Sequence, residues 1–132
     1  NLFNSGFVKQ MAFDMDGVLC HDQPQEQWQT TASEVRYMAR RSPITIITAR
    51  MESDRGHTQA WLYRNGFNVD ELIMFDGSKS DRMRPQAISK YKAQHVQDMK
   101  LDWFVESCPQ QAREIAEYSG AWVICTANGE VY

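Results

Sequence analysis

Two aspartates one residue apart, Asp14 and Asp16 in Phe13-Asp14-Met15-Asp16-Gly17, are the side chains here best equipped for chemistry. They follow the apolar run Met11-Ala12-Phe13, which reads as the end of a buried strand. Inside a strand, successive side chains point to opposite faces. Past the strand end, a loop can turn both carboxylates toward one space. It also leaves backbone N–H groups, those of Met15 and Gly17 among them, for an anion. A nucleophile, a second acid or base and a cation site then lie within a few ångströms. A solvated Asp-rich turn has the same letters, so the pair takes its meaning from what else reaches that place.

Three further features are candidates. Thr48 ends a β-branched run, with Ala49 and Arg50 after it, and Glu106 follows the apolar run Trp103-Phe104-Val105. Lys90 and Lys92 sit in the segment before that run. Thr48 read alone is a strand residue and a lone lysine is a solvated helix charge. A carboxylate after three apolar residues is harder to dismiss, because burying it unpaired is costly. Taken together they suit phosphoryl transfer through an aspartyl-phosphate. A carboxylate attacks phosphorus. Mg²⁺ takes hard oxygen ligands such as Asp14 and Glu106. A hydroxyl and an ammonium hold the phosphate oxygens, and a second carboxylate moves the proton.

The elements that must position these groups alternate along the chain. Strands are expected over 11–13, 43–48, 72–75, 103–105 with Glu106 at the end, and 122–125. A helix is expected over about 53–65 with Gly66 at its C′ position. A polar loop is expected over 76–84, then a helix with Pro85 at N1, and another from Pro109 to a stop at Gly120. Before the second strand, Thr31-x-x-Glu34 has capping-box form and puts Val35, Met38 and Ala39 on one helix face. An earlier start at Pro24, using Trp28 and Ala32, fits as well. This is one α/β domain over 1–132: an open, mostly parallel, Rossmann-like sheet with helices on both faces. Its site belongs beyond the carboxyl ends of the strands.

Composition narrows the classes. The 132 residues are one domain's worth, 42% hydrophobic and 23% charged, so disorder is not expected. A net charge of -3 argues against broad non-specific nucleic-acid binding and leaves a local basic patch open. No membrane span or signal peptide is visible. Cys20, Cys108 and Cys125 lack zinc-ligand spacing, so a reducing, cytoplasmic setting is expected. Cys20 and Cys108 read as small buried thiols, and Trp28, Trp61, Trp103 and Trp122 as core. His21 and His57 have no metal-ligand partner at usable spacing.

The chain resembles the haloacid dehalogenase superfamily of phosphatases over nearly its whole length. Phe13-Asp14-Met15-Asp16-Gly17-Val18-Leu19 is similar to that family's first motif, Ile46-Ile47-Thr48-Ala49-Arg50 to its second and Val105-Glu106-Ser107 to its fourth. Lys92 in Tyr91-Lys92-Ala93 is the better match to the third-motif lysine, with Lys90 in reserve. The resemblance implies Asp14 as nucleophile, Asp16 as acid/base, and Mg²⁺ held by Asp14, the Asp16 carbonyl and Glu106. It implies Thr48 and Lys92 as phosphate ligands and strand order 5-4-1-2-3. Val18 stands where threonine is commoner, and Glu106-Ser107 where two acids are common. Dehalogenases themselves lack the second aspartate, so Asp16 argues for phosphate chemistry.

The stretches from Asp16 to Thr48 and from Phe75 to Lys92 are too short for the inserted cap domain many members carry. An open site is expected, covered at most by segment 21–30 or by another subunit, with oligomeric state left open. A further similarity is to the phosphatase domain of phage polynucleotide kinase-phosphatases and to small phosphatase-like domains found with phosphoribosyltransferases. It runs through Thr48-Ala49-Arg50, Thr58-Gln59-Ala60-Trp61-Leu62, Leu72-Ile73-Met74 and the lysine helix. It implies a phosphorylated small molecule, a nucleotide or a nucleic-acid 3′-phosphate end as substrate. Arg50, Arg82 and Arg84, with Arg55 and Lys79, form either a basic substrate rim or a solvated loop. Two other classes share the pattern. A receiver domain would use Asp76 and Ser107, but Cys125-Thr126-Ala127-Asn128 lacks its lysine. An inactive scaffold would leave the complete catalytic set unexplained.

Overall fold

A computed structural model describes residues 10–22, 35–36 and 43–132 of the protein. Their strands are β1 (Met11–Phe13), β2 (Ile44–Met51), β3 (Val69–Phe75), β4 (Trp103–Glu106) and β5 (Trp122–Cys125). The helices are α1 (Arg55–Arg64), α2 (Lys79–Arg82), α3 (Ala87–Asp98) and α4 (Pro109–Ser119). The strands form one sheet in the order β3-β2-β1-β4-β5, every pair parallel. The expected order 5-4-1-2-3 is this order read from the other edge.

Both faces are covered, as short apolar parallel strands require. Met11, Phe13, Ile44 and Ile46 pack with Trp61 and Leu62 of α1 on one face. Ala12, Ile47, Phe104 and Val123 pack with Val96 of α3 and Ile115 of α4 on the other. Alternation along β1, with Met11 and Phe13 one way and Ala12 the other, follows from the two-residue strand period. β1 and β4 are neighbours, but successive connections from them run toward opposite edges. Their carboxyl ends therefore form the sheet's switch point, where ligands bind in such folds.

The strands differ from expectation at their ends. β2 continues past Thr48 to Met51, because a pairing of Met51 with Phe75 carries it on beyond a register irregularity. β3 begins at Val69, since an edge strand tolerates the exposed Asp70 and Glu71. The expected loop over 76–84 contains α2. Ser78 caps it, accepting from the Asp81 N–H at 3.0 Å while Asp81 accepts from the Ser78 N–H at 2.9 Å. Pro85 is not at a helix N1: Gln86, in the left-handed region at φ 61°, is the N-cap of α3. Gly66 and Gly120 take positive φ after α1 and α4 as expected.

Trp122 is not core but 58% exposed on edge strand β5, beside the half-buried Trp103 at 6.2 Å. Cys20 is buried, as expected, and Cys108 only half so. Residues 130–132 pair antiparallel with β5, through Ile124 and Val131 among others. Of the helix expected before β2 only Val35 and Arg36 are described, and they are not helical: Val35 forms an antiparallel bridge with Cys20, and the Arg36 N–H donates to the Leu19 carbonyl at 2.7 Å. The other residues of that segment and most of segment 21–30, Trp28 included, lie outside the described residues. Among the described residues no helix is long and apolar enough to cross a membrane.

Candidate active site

Asp14 directly follows β1, and its N–H donates to the Val105 carbonyl of β4 at 2.9 Å. The chain then turns tightly, with the N–H groups of Val18, Leu19 and Cys20 all donating to the Met15 carbonyl. Gly17 has φ +81°, and a Cβ there would lie 2.5 Å from Ser107 Oγ. Glycine is required twice over, by the backbone angle and by the approach of the loop after β4. Ser107 Oγ donates to the Asp16 carbonyl at 3.1 Å, so the two loops are laced together.

Asp14, Asp16, Thr48, Lys92 and Glu106 line one cleft of about 130 Å³ at this edge. Lys92 is buried on α3 and is the hub of the cluster. Its Nζ lies 2.6 Å from Glu106 Oε2, 3.0 Å from Asp14 Oδ2 and 3.3 Å from Gln111 Oε1. Lys90 is not the lysine of the site: two residues away on the helix it faces elsewhere, is exposed and lies over the Tyr118 ring. Glu106 Oε1 accepts from the N–H groups of Ser107 and Cys108 at 2.8 and 3.2 Å. Thr48 Oγ1 accepts from the Arg50 N–H at 3.2 Å, which leaves the hydroxyl proton to donate.

The charges are unevenly balanced. Burial pushes the Asp14 carboxyl well above the ordinary carboxylate range, and the Glu106 charge adds to this while Lys92 offsets part of it. Burial acts on Glu106 in the same direction, but Lys92 outweighs it and holds that carboxyl below its usual value. Burial opposes charge on Lys92, yet Asp14 and Glu106 overcome it and raise the ammonium above the usual lysine range. Two carboxylates thus share one buried ammonium.

Asp16 belongs to a second ion pair. Arg50 Nε donates to Asp16 Oδ2 at 2.9 Å and Arg50 Nη2 to Asp16 Oδ1 at 2.7 Å. The guanidinium is buried, and its Nη1 donates to the Thr58 hydroxyl at 3.3 Å. Cys20 packs against this pair, and burial, followed by the Asp16 charge, pushes its thiol up to about 12.

Several expected roles are corrected by this geometry. Arg50 is not a rim residue: it is buried and clamps Asp16. Arg84 stands outside the cleft, 76% exposed and 3.5 Å from Asp81. Arg82 does reach the cleft, with Nε donating to the Ala49 carbonyl at 2.8 Å. Neither Met15 nor Gly17 lines it. The Met15 side chain is in the core and the Gly17 N–H donates to the Cys20 carbonyl at 2.8 Å. Asp22 and Gln111 also line the cleft and were not anticipated. Each lies near a strand end, but neither belongs to a pattern that distinguishes it from a surface polar residue. Asp76 is exposed at the end of edge strand β3, outside the cleft. The strand order also departs from the 2-1-3-4-5 of receivers.

Among the described residues no three Asp, Glu, His or Cys side chains are grouped to hold a metal ion. The groups that would hold Mg²⁺ are two carboxylates lining the cleft, Asp14 and Glu106, with the Asp16 carbonyl that the resemblance implies. This fits a hard divalent ion that keeps waters and a phosphate oxygen as its other ligands. Such an ion would offset the Glu106 charge, which adds to burial in raising Asp14.

A cavity of about 350 Å³ lies apart from this chemistry, between α1 and edge strand β3, lined by Leu62, Tyr63, Phe67 and Leu72 among others. No protein-family model matches the chain, and no curated protein matches it significantly.

Proposed function

We propose that the chain is a phosphomonoesterase of the haloacid dehalogenase type, dependent on Mg²⁺ and working through an aspartyl-phosphate at Asp14. The strongest support is the convergence of Lys92 Nζ on Asp14 Oδ2 and Glu106 Oε2, at 3.0 and 2.6 Å, at the switch point of the sheet. Thr48 and Asp16 line the same cleft.

In this reading an Asp14 oxygen attacks phosphorus and forms the new P–O bond as the ester P–O bond breaks. Lys92 and the Thr48 hydroxyl donate to the non-bridging oxygens, where charge is concentrated. Asp16, a carboxylate in the ion pair with Arg50, gives the leaving alkoxide a proton that it gained from water in the preceding turnover. It then takes one from the water that attacks the acyl phosphate, releasing phosphate and restoring Asp14. The Arg50 fork fixes the plane of the Asp16 carboxyl, so both transfers are aimed. Mg²⁺, held by Asp14, the Asp16 carbonyl and Glu106, would neutralise phosphate charge.

The substrate class follows from the rim. Arg82 in the cleft and the exposed Arg84 favour a substrate that extends beyond its reacting phosphate, such as a nucleotide or a 3′-phosphorylated oligonucleotide end. The test is a panel of nucleotides, 3′-phosphorylated oligonucleotides and sugar phosphates with Mg²⁺. Higher kcat/KM on the first two is expected. A preference for small sugar phosphates in a monomer overturns the substrate assignment, and no hydrolysis of any of them overturns the phosphatase.

A further inference from the structure

A second groove opens directly beside the catalytic cleft. It has a volume of about 330 Å³ and runs between residues 82–89 and the first turns of α4. Arg82, Ile88, Cys108 and Gln111 line both spaces, so the two are continuous. Its volume is in the range of small-molecule sites, roughly 300–1,000 Å³.

Gln111 sits at the junction. Its Oε1 accepts from Lys92 at 3.3 Å, which assigns the amide orientation and leaves both Nε2 protons to donate to something else. Two more amides line the groove, Gln86 and Gln110. The Gln86 Oε1 accepts from the Tyr118 hydroxyl at 2.6 Å, so its NH₂ is likewise left as the donor end. Glu114 also lines the groove. Its Oε1 is 3.3 Å from Ser89 Oγ, while its Oε2 is shielded from solvent and has no hydrogen-bond partner. A buried acceptor left unpaired is costly, and a turn of the Glu114 carboxyl toward a ligand N–H or O–H in the groove relieves that cost. Met83 and Ile88 supply apolar surface between these polar groups.

We propose that this groove is the leaving-group subsite and that it takes a nucleoside unit. The NH₂ donors of Gln86 and Gln111, with the Glu114 carboxylate as acceptor, match the acceptor and donor groups on the edges of bases. Met83 and Ile88 give a flat ring something to pack on, which a free sugar does not use. The guanidinium of Arg84, at the outer end, meets the next phosphate of a chain. For turnover this rests on the phosphatase reading above, but for binding it stands alone.

The test uses two variants from opposite walls, both at exposed positions: Gln110→Trp, which fills the groove, and Met83→Glu, which removes the apolar surface and puts a negative charge in its place. Hydrolysis and equilibrium binding of the four nucleoside 3′-monophosphates are compared with those of phenyl phosphate. In the native chain the nucleotides are preferred. In each variant the ratio of kcat/KM for nucleotide over phenyl phosphate falls by at least ~10-fold, the scale of one specific pocket interaction. Nucleotide affinity falls by a similar factor. A ratio and affinity unchanged in both variants overturn the subsite while leaving the phosphatase intact. Nucleotide binding that weakens in the variants without any turnover supports the subsite and refutes the phosphatase. A native chain that neither binds nor hydrolyses the nucleotides refutes the subsite outright.

Discussion

Replacing Arg50 by methionine keeps most of the buried stem and removes the clamp on Asp16. The two hydrogen bonds of that clamp are 2.7 and 2.9 Å long, between side chains only 2% and 14% exposed. At 2.7 Å and an effective dielectric near 20, the gross attraction is about 6 kcal/mol. Desolvation of both ions cancels much of it, so a net coupling of about 2–3 kcal/mol is expected from a double-mutant cycle. The single variant should lose more, about 3–5 kcal/mol, because Asp16 is left without its counter-charge and Thr58 without its donor. Urea unfolding of the native chain, Arg50→Met, Asp16→Asn and the double variant measures each corner. In Arg50→Met the loss of turnover should be largest for esters with poor leaving groups, since Asp16 is no longer aimed. A coupling below about 0.5 kcal/mol would show the two residues to be independent and remove Arg50 from its positioning role.

Asp14→Asn should cut phosphomonoester hydrolysis by at least ~10³-fold, and retention of a tenth of native activity would exclude Asp14 as nucleophile. Its stability should move the other way in chelator. The folded Asp14 pKa is raised, so the ionised carboxylate costs nothing below its unfolded pKa of about 3.9 and progressively more as pH rises toward the folded value. The Tm advantage of the variant should therefore grow from pH 4 to pH 7, and a constant difference would refute the argument that burial and the Glu106 charge penalise the ionised Asp14. Asp16→Asn should slow alkyl phosphates more than activated aryl phosphates, and equal losses would count against a proton-transfer role. Gly17→Ala should destabilise by about 1–3 kcal/mol through its positive φ, and by more through the Ser107 clash. A neutral effect in thermal melts would contradict the packing of the two loops.

Much of the architecture was legible because short apolar strands separated by helix signals leave few alternatives. Asp14, Thr48 and Glu106 could be placed at one edge because each lies at or near the carboxyl end of an apolar strand, and Lys92 was preferred to Lys90 by the motif resemblance. What could not be read was pairing. Arg50 looks the same in sequence whether it reaches solvent or turns inward to Asp16, and the difference is made by the Thr58 and Cys20 side chains around it. The short helix α2 did carry a signal, the Ser78-x-x-Asp81 box, but its turn-rich composition outweighed it. Trp122 was misplaced because burial depends on whether a strand lies at the edge of the sheet, which local pattern does not reveal. The roles of Gln111 and Asp22 depend on side-chain direction after two separate strands, and no spacing rule joins those positions.

The proposed mechanism stands or falls on covalent phosphorylation of Asp14. Acid quenching during turnover of a ³²P-labelled nucleoside 3′-monophosphate with Mg²⁺, followed by digestion and mass spectrometry, detects the phosphoenzyme itself. Label is expected on the peptide containing Phe13-Asp14-Met15-Asp16, at Asp14. More of it should accumulate in Asp16→Asn with an activated aryl phosphate, and none in Asp14→Asn. Turnover without a trapped phosphoenzyme under any of these conditions, or label on a residue other than Asp14, would contradict the mechanism.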